Sequence, residues 1–212
     1  MPDIRFDPKS HQYFLGEEEL PSVTRILGEM GLTADLGWID PVYRVKGQRI
    51  HEGCQLVDLG EWDAGSTHPI LVPPIQAYQA FLGGSGFEVK LIEKPVWSAS
   101  MRVAGTLDRW GMTTSGKRCL VELKSGSSRP DPATGFQTAL YRFLLAESHG
   151  MGTDEELIVW LRDDGTPQVT TIPNGERNKN LQRALGAVDL WRWRTQHGRI
   201  RKQRTPENNT EV

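Results

Sequence analysis

Along this chain the apolar positions switch between two periods, and the switches mark out its elements. Three runs, Glu88 to Trp97, Arg102 to Met112 and Arg118 to Lys124, read as strands, the last two joined by Thr113-Thr114-Ser115-Gly116. Ahead of them, residues 4 to 20 alternate loosely through Ile4, Phe6, Tyr13 and Phe14, which predicts a small β-hairpin turning at Gly16. Ser22 or Thr24 can cap a short helix through Met30, and residues 38 to 60 predict a longer helix with Ile39, Val42, Val45, Ile50 and Leu56 as its apolar members. Asp63 to Pro74 is a Gly-, Ser-, Thr- and Pro-rich loop, and a helix through Tyr78, Phe81 and Leu82 stops at Gly83-Gly84.

Beyond the strands, Ser125 to Gly135 reads as a polar loop with two prolines, leading into a helix from Phe136 to Ser148. Leu157 to Leu161 is a strand that pairs through Asp163-Asp164-Gly165 with Gln168 to Ile172, and Asn178 to His197 forms a last helix. The order α-β-β-β-α-β predicts an α/β (α+β) fold, a central mixed sheet flanked by helices. No internal repeat interrupts it.

Composition narrows the partners. A chain of 212 residues suffices for one domain with a proper core. With 25 Lys and Arg against 27 Asp and Glu it has no global basic field, so any surface for nucleic acid must be local. Cys54 and Cys119 are too few for a disulfide framework or an iron–sulfur cluster held by four cysteines, and read as two buried thiols. No apolar run approaches ~18 residues, so no membrane span is expected. Residues 1 to 14 look like neither a signal peptide nor a transit peptide, which makes the expected compartment cytoplasmic.

The chemistry sits between residues 104 and 141. On a strand Glu122 and Lys124 point the same way while Leu123 points into the core. An antiparallel partner ending in Gly105-Thr106-Leu107-Asp108 brings a second carboxylate alongside. Two carboxylates that close repel unless a proton or a divalent cation intervenes, and hard oxygen ligands suit Mg²⁺ or Mn²⁺. A lysine beside such an ion can orient a water or neutralise a phosphate.

Asp108 with Glu122-Leu123-Lys124 resembles the Asp-x(n)-(Asp/Glu)-x-Lys signature of the PD-(D/E)XK nuclease superfamily. Further segments resemble its RecB-like branch, in the branch's order: Gly47-Gln48-Arg49-Ile50-His51-Glu52 its Gly-x-x-x-His helix, Glu93 an acid on the preceding strand, and Gln137-Thr138-Ala139-Leu140-Tyr141 its Gln-x-x-x-Tyr helix. With Pro21-Ser22-Val23-Thr24-Arg25-Ile26-Leu27, the nearest resemblance is to the mitochondrial genome maintenance exonuclease group and its phage-type relatives, over roughly residues 20 to 165.

The resemblance implies a restriction-endonuclease-like core and a Mg²⁺- or Mn²⁺-dependent DNA exonuclease that prefers single strands and works in repair, recombination or replication. The chain as a whole is expected to form a single nuclease domain over 1–198, with an N-terminal part to 85, a catalytic core over 86–172 and a C-terminal helix over 175–198, followed by a disordered basic tail over 199–212. Asp108, Glu122 and Lys124 become the catalytic set, and His51, Asp108, Glu122 and the Leu123 carbonyl hold the metal. Arg44, Gln137 and Tyr141 contact DNA, and Glu93 is an auxiliary acid.

Independently of the resemblance, Arg44, Gly47 and His51 share a helix face that Gly47 leaves open, and Gln137 lies one turn before Tyr141, placed to hold Lys124 or a phosphate. His11, His68, His149 and His197 lack such a context, and Trp97, Trp110 and Trp160 read as core. The basic, aromatic stretch from Trp191 to Arg204 suits either a nucleic-acid backbone or an ordinary helix end. Two other functions stay open: a DNA-binding module that has lost its chemistry, and a site- or structure-specific endonuclease.

Overall fold

The computed structural model describes residues 4–8, 10–33, 41–126 and 132–202. A five-stranded mixed sheet forms its centre: β4 (Phe87–Ser98), β5 (Val103–Thr113), β6 (Arg118–Ser125), β7 (Glu155–Leu161) and β8 (Pro167–Thr171), in that spatial order. All neighbours run antiparallel except β6 and β7, which are parallel and joined by helix α4 (Pro132–His149). The expected α-β-β-β-α-β order is therefore present, with strand limits within two residues of the sequence reading.

Alternation along β6 explains how one strand serves two layers. Cys119, Val121 and Leu123 pack in a cluster with Ile50 and Cys54 of α2 (Pro41–Leu59) and with Tyr78 and Phe81 of α3 (Val72–Ser85). Leu120 faces the other way, into a cluster with Leu140 and Leu144 of α4, Ala184 and Val188 of α5 (Asn174–Lys202), and Ile26 of α1 (Val23–Glu29). Glu122 and Lys124 continue the second face, so polar groups replace apolar ones where the sheet emerges from under α4. At roughly 1.5–3 kcal/mol per fully buried large apolar side chain, these two clusters dominate the fold's stabilisation.

Glycines set two close approaches. A Cβ on Gly53 would lie 2.2 Å from Ile75 Cδ1, so the Ile75 side chain fills the space that Gly53 leaves between α2 and α3. On Gly111 it would lie 2.1 Å from the Glu88 carbonyl oxygen, inside the β4–β5 pair.

Several elements differ from the sequence reading. Residues 4 to 20 form not one hairpin but a three-stranded antiparallel sheet, β1 (Ile4–Asp7), β2 (Gln12–Leu15) and β3 (Glu18–Leu20), because a second turn at His11 adopts φ +54°. Ser22 does cap α1, accepting the Arg25 N–H at 3.1 Å. Val42 and Val45, read as apolar members of α2, are 67 % and 55 % exposed, and Leu56 is exposed too; Ile39 lies outside the described residues.

The stop after α3 is Gly86 at φ +63°, three residues past Phe81-Leu82-Gly83, since Gly83 and Gly84 remain helical. Helix α4 begins at Pro132, where proline's fixed φ suits a first helical turn, so the loop after β6 is shorter than expected. Helix α5 runs to Lys202, past the expected end at residue 198, and the rest of the tail lies outside the described residues. Trp97, Trp110 and Trp160 are buried, as are Cys54 and Cys119. No helix among the described residues is long and apolar enough to cross a membrane.

Candidate metal centre

At one end of the sheet, β5 and β6 part company. Their ladder covers Arg109–Met112 against Arg118–Val121 and stops there. Past the stop, the Asp108 side chain takes the place of the ladder: its Oδ2 accepts the Leu123 N–H at 2.7 Å. Because a strand residue's N–H and C=O lie on the same edge, the Leu123 carbonyl also points into this gap.

The gap opens into a cleft of about 900 Å³, which every site residue named from the sequence lines: Arg44, His51, Glu93, Asp108, Glu122, Leu123, Lys124, Gln137 and Tyr141. Gly47 of α2 lies beside the end of β6, where a Cβ would sit in ordinary contact, 3.4 Å from Ser125 Oγ.

His51 Nδ1 faces two carboxylates at once, 3.5 Å from Asp108 Oδ1 and 3.6 Å from Glu93 Oε1. One ligand atom from each of the three residues falls within 4.8 Å of the others. That spacing exceeds a good hydrogen bond and fits ligands around one shared cation, whose bonds are roughly 2.0–2.6 Å. Glu93, expected only as an auxiliary acid, is thus a full member of this group. It stands opposite Asp108, between the pairs Ile92–Arg109 and Lys94–Leu107, with its backbone at φ +42°. For a non-glycine residue that geometry costs about 1–3 kcal/mol and recurs at functional sites.

Glu122 is the second expected carboxylate ligand, and it lies outside that tight group of three. Its Oε1 accepts from Lys124 Nζ and from Gln137 Nε2, both at 2.8 Å. Lys124 Nζ also donates to Gln137 Oε1 at 3.1 Å, and Gln137 Nε2 donates to the Tyr141 hydroxyl at 3.2 Å. Gln137 therefore holds Lys124 in place. Tyr141 is 3 % exposed, with Gly105 leaving room for its ring, so it supports Gln137 from the core and offers no open stacking face. Arg44 is exposed at the cleft rim.

Glu122 Oε2 is buried with no hydrogen-bond partner. A buried unpaired carboxylate oxygen is costly unless a proton or cation meets it. Titration follows the same logic. Burial, the Asp108 charge beside it and the partial offset from Lys124 leave the Glu122 carboxyl raised to about 7. Burial disfavours the charged His51 ring, but Asp108 and Glu93 outweigh that and raise it to about 9. Burial likewise pushes Asp108 up against the pull of His51. Protons thus do what a divalent cation could do. One imidazole nitrogen with several carboxylate oxygens is a donor set that fits Mn²⁺ or Mg²⁺.

Sequence reasoning missed what lies beneath Glu93. Arg109 is fully buried; its Nε donates to Asp58 Oδ2 at 2.6 Å, and its Nη1 donates to Glu93 Oε1 and to the Asp108 carbonyl, both at 2.7 Å. Tyr78 in turn donates to Asp58 Oδ1 at 2.6 Å. The available signal was an arginine directly after Asp108, between Leu107 and Trp110 in a mostly apolar strand. At the far end of the chain, Trp191 and Arg194 bond Glu29 of α1, so this part of the basic stretch fastens α5 to α1.

No family model and no curated protein matches the chain. Among solved structures it is similar to one titled "Crystal structure of SSO0001", at 13 % identity and a TM-score of 0.39, covering 81 % of this chain and 78 % of that one.

Proposed function

We propose that this chain is a divalent-metal-dependent phosphodiester hydrolase acting on DNA, an exonuclease that prefers single strands, of the RecB-like PD-(D/E)XK type. The observation that carries the reading is the convergence of His51, Glu93 and Asp108 beside an unpaired Glu122 oxygen and a Lys124 held by Gln137. Five elements supply these groups, and an ordinary ion-pair network has no reason to leave a buried carboxylate oxygen empty.

His51, Glu93 and Asp108 would hold a Mg²⁺ or Mn²⁺ ion, with Glu122 and the Leu123 carbonyl facing the same gap. Such an ion supplies Lewis-acid polarisation of the phosphate and lowers the pKa of water near it. The protein's own groups do the rest. Lys124, its ammonium fixed between Glu122 and Gln137, orients the attacking water and neutralises charge that develops on the phosphate. Glu122 is placed beside Lys124 to take the water's proton. Arg109 holds Glu93 toward the cleft, and Arg44 at the rim meets the strand's phosphates.

The test is hydrolysis of end-labelled DNA by purified protein in Mg²⁺ or Mn²⁺, in chelator, and after metal is restored. Cleavage in the first and third conditions, absent from Glu122→Gln and Lys124→Ala proteins purified identically, supports the reading. DNA binding without cleavage in every metal would favour a non-catalytic module instead.

A further inference from the structure

Part of the cleft's lining is aromatic, and nothing in the hydrolytic site uses it. Phe6, His11 and Tyr13 of the N-terminal sheet line the same cleft as Asp108 and Glu122. Their rings form one group: Phe6 stacks on Tyr13 with centroids 4.8 Å apart at 26°, and His11 sits edge-on to Phe6 at 5.3 Å and 86°. Tyr13 is buried and Phe6 half-buried, while His11 is exposed.

This wall is fixed against the site. The Tyr13 hydroxyl hydrogen-bonds Thr106 Oγ1 at 2.8 Å. Thr106 precedes Asp108 by two residues on β5, which puts the anchor on Asp108's side of the strand, about 7 Å away. The Ala104 N–H donates to the Pro21 carbonyl at 3.1 Å, and Tyr13 and Leu20 pack with Trp97 and Ala104. The same cleft is lined from α2 by Val45 and Arg44, an apolar and a cationic side chain.

We propose that Phe6 and His11 form a base-stacking subsite that receives an unpaired nucleobase next to the scissile phosphate. This rests on the phosphodiester-hydrolase reading and gives it a substrate feature. Aromatic faces bind any base through its π-surface, without reading sequence, and reach it only when it has left a duplex stack. With Arg44 of the same cleft meeting phosphate, the lining suits a single strand with its bases unstacked.

The test is binding, measured by fluorescence anisotropy on short single-stranded oligonucleotides, in which one abasic residue is walked along the strand. It uses the Asp108→Asn protein as background, so that strands are held without being cut. His11→Asn removes the ring while tolerating the left-handed backbone, Phe6→Leu keeps bulk without the π-face, and His11→Tyr restores a ring. Expected is at least about a fivefold loss of affinity when the abasic residue occupies one or two particular positions. His11→Asn and Phe6→Leu should show a similar loss on intact strands and no further loss at those positions, with His11→Tyr recovering affinity.

An abasic walk without effect on the background protein overturns the subsite. So do variants that weaken intact and abasic strands equally, since that pattern reports a merely structural sheet. Failure of the parent reading registers separately: wild-type protein would then cut no DNA in Mg²⁺ or Mn²⁺, while the abasic walk still reports on the wall.

Discussion

The Leu123 N–H donates to Asp108 Oδ2 at 2.7 Å, and that single bond turns the other carboxylate oxygen toward His51. It stands where the β5–β6 ladder ends, so a side chain completes the sheet's hydrogen bonding and one of its own oxygens is committed to the cleft. Asp108 is thus both a structural and a chemical residue, and variants should separate the two roles.

Asp108→Asn keeps an oxygen for the Leu123 N–H and loses the charge. We expect near-native melting of the metal-free protein, because one of three crowded acids has been neutralised. Mn²⁺ affinity measured by calorimetry should fall by more than about 100-fold, beyond the 10–100-fold typical of residues that only support a ligand. Wild-type Mn²⁺ affinity in this variant would remove Asp108 from the centre.

Lys124 and Gln137 should differ in kind. Lys124→Ala should abolish turnover with DNA binding kept within a few-fold, since its role is realised in the transition state. Gln137→Ala leaves the ammonium in place but unsteadied, so kcat should drop by roughly 10–100-fold with KM little changed. Equal losses in kcat for the two would mean that Gln137 acts on the substrate itself.

Much of this centre was legible beforehand because strand alternation and helix spacing are local rules. Glu122 and Lys124 share a face by period two, and Gln137 and Tyr141 by one helical turn. Long-range facts were not legible. Nothing local says that Glu93 would adopt φ +42° opposite Asp108, or that Asp58 would reach Arg109 from a helix 51 residues earlier.

The same limit explains the elements that shifted. Gly83-Gly84 carried the local stop signal, yet α3 continued to Gly86, where the left-handed residue lies. By contrast, Asp7-Pro8 and Ser10 carry a turn signal just before His11, so the first of the two turns in this three-stranded sheet was within reach of local rules. Val42 and Val45 fit an apolar stripe by spacing, yet both are exposed among the described residues, since spacing alone does not say which turn of a helix finds a packing partner.

The metal-free protein should lose stability as pH rises. A group whose folded pKa exceeds its unfolded value contributes fully below the unfolded value and not at all above the folded one. His51, at about 9 against 6.5, therefore loses its contribution between those values. Glu122, at about 7 against 4.5, loses its own across that lower range. Melting temperature without metal should fall from pH 5 to pH 9, and the gain on adding Mn²⁺ should grow over the same span. A metal-free melting temperature that rises across this range would contradict the protonated cluster.

Gly53→Ala should destabilise by about 1–3 kcal/mol, because the new methyl meets Ile75 with the helices fixed by the core on both sides. Ile75→Ala alone should cost about 2–5 kcal/mol by opening a cavity. Together they should cost less than the sum of the two, since each relieves the other's defect. Strict additivity in urea melts would show that α2 and α3 adjust their crossing instead.

The substrate prediction draws on shape as well as resemblance. Charge is nearly balanced, so composition gives no global basic field to grip a rigid duplex, whose affinity comes from many phosphate contacts. The cleft offers instead Arg44, an aromatic group and the His51–Glu93–Asp108 cluster in one lining, a combination that suits a flexible strand. Linear single strands should be degraded faster than duplexes of matched sequence, and covalently closed single-stranded circles should survive. End-labelled and circular substrates incubated side by side in Mg²⁺ or Mn²⁺ decide it. Rapid cutting of circles would make the protein an endonuclease with the same metal centre. Faster digestion of blunt duplexes would overturn the strand preference alone, because neither result depends on which residues hold the ion.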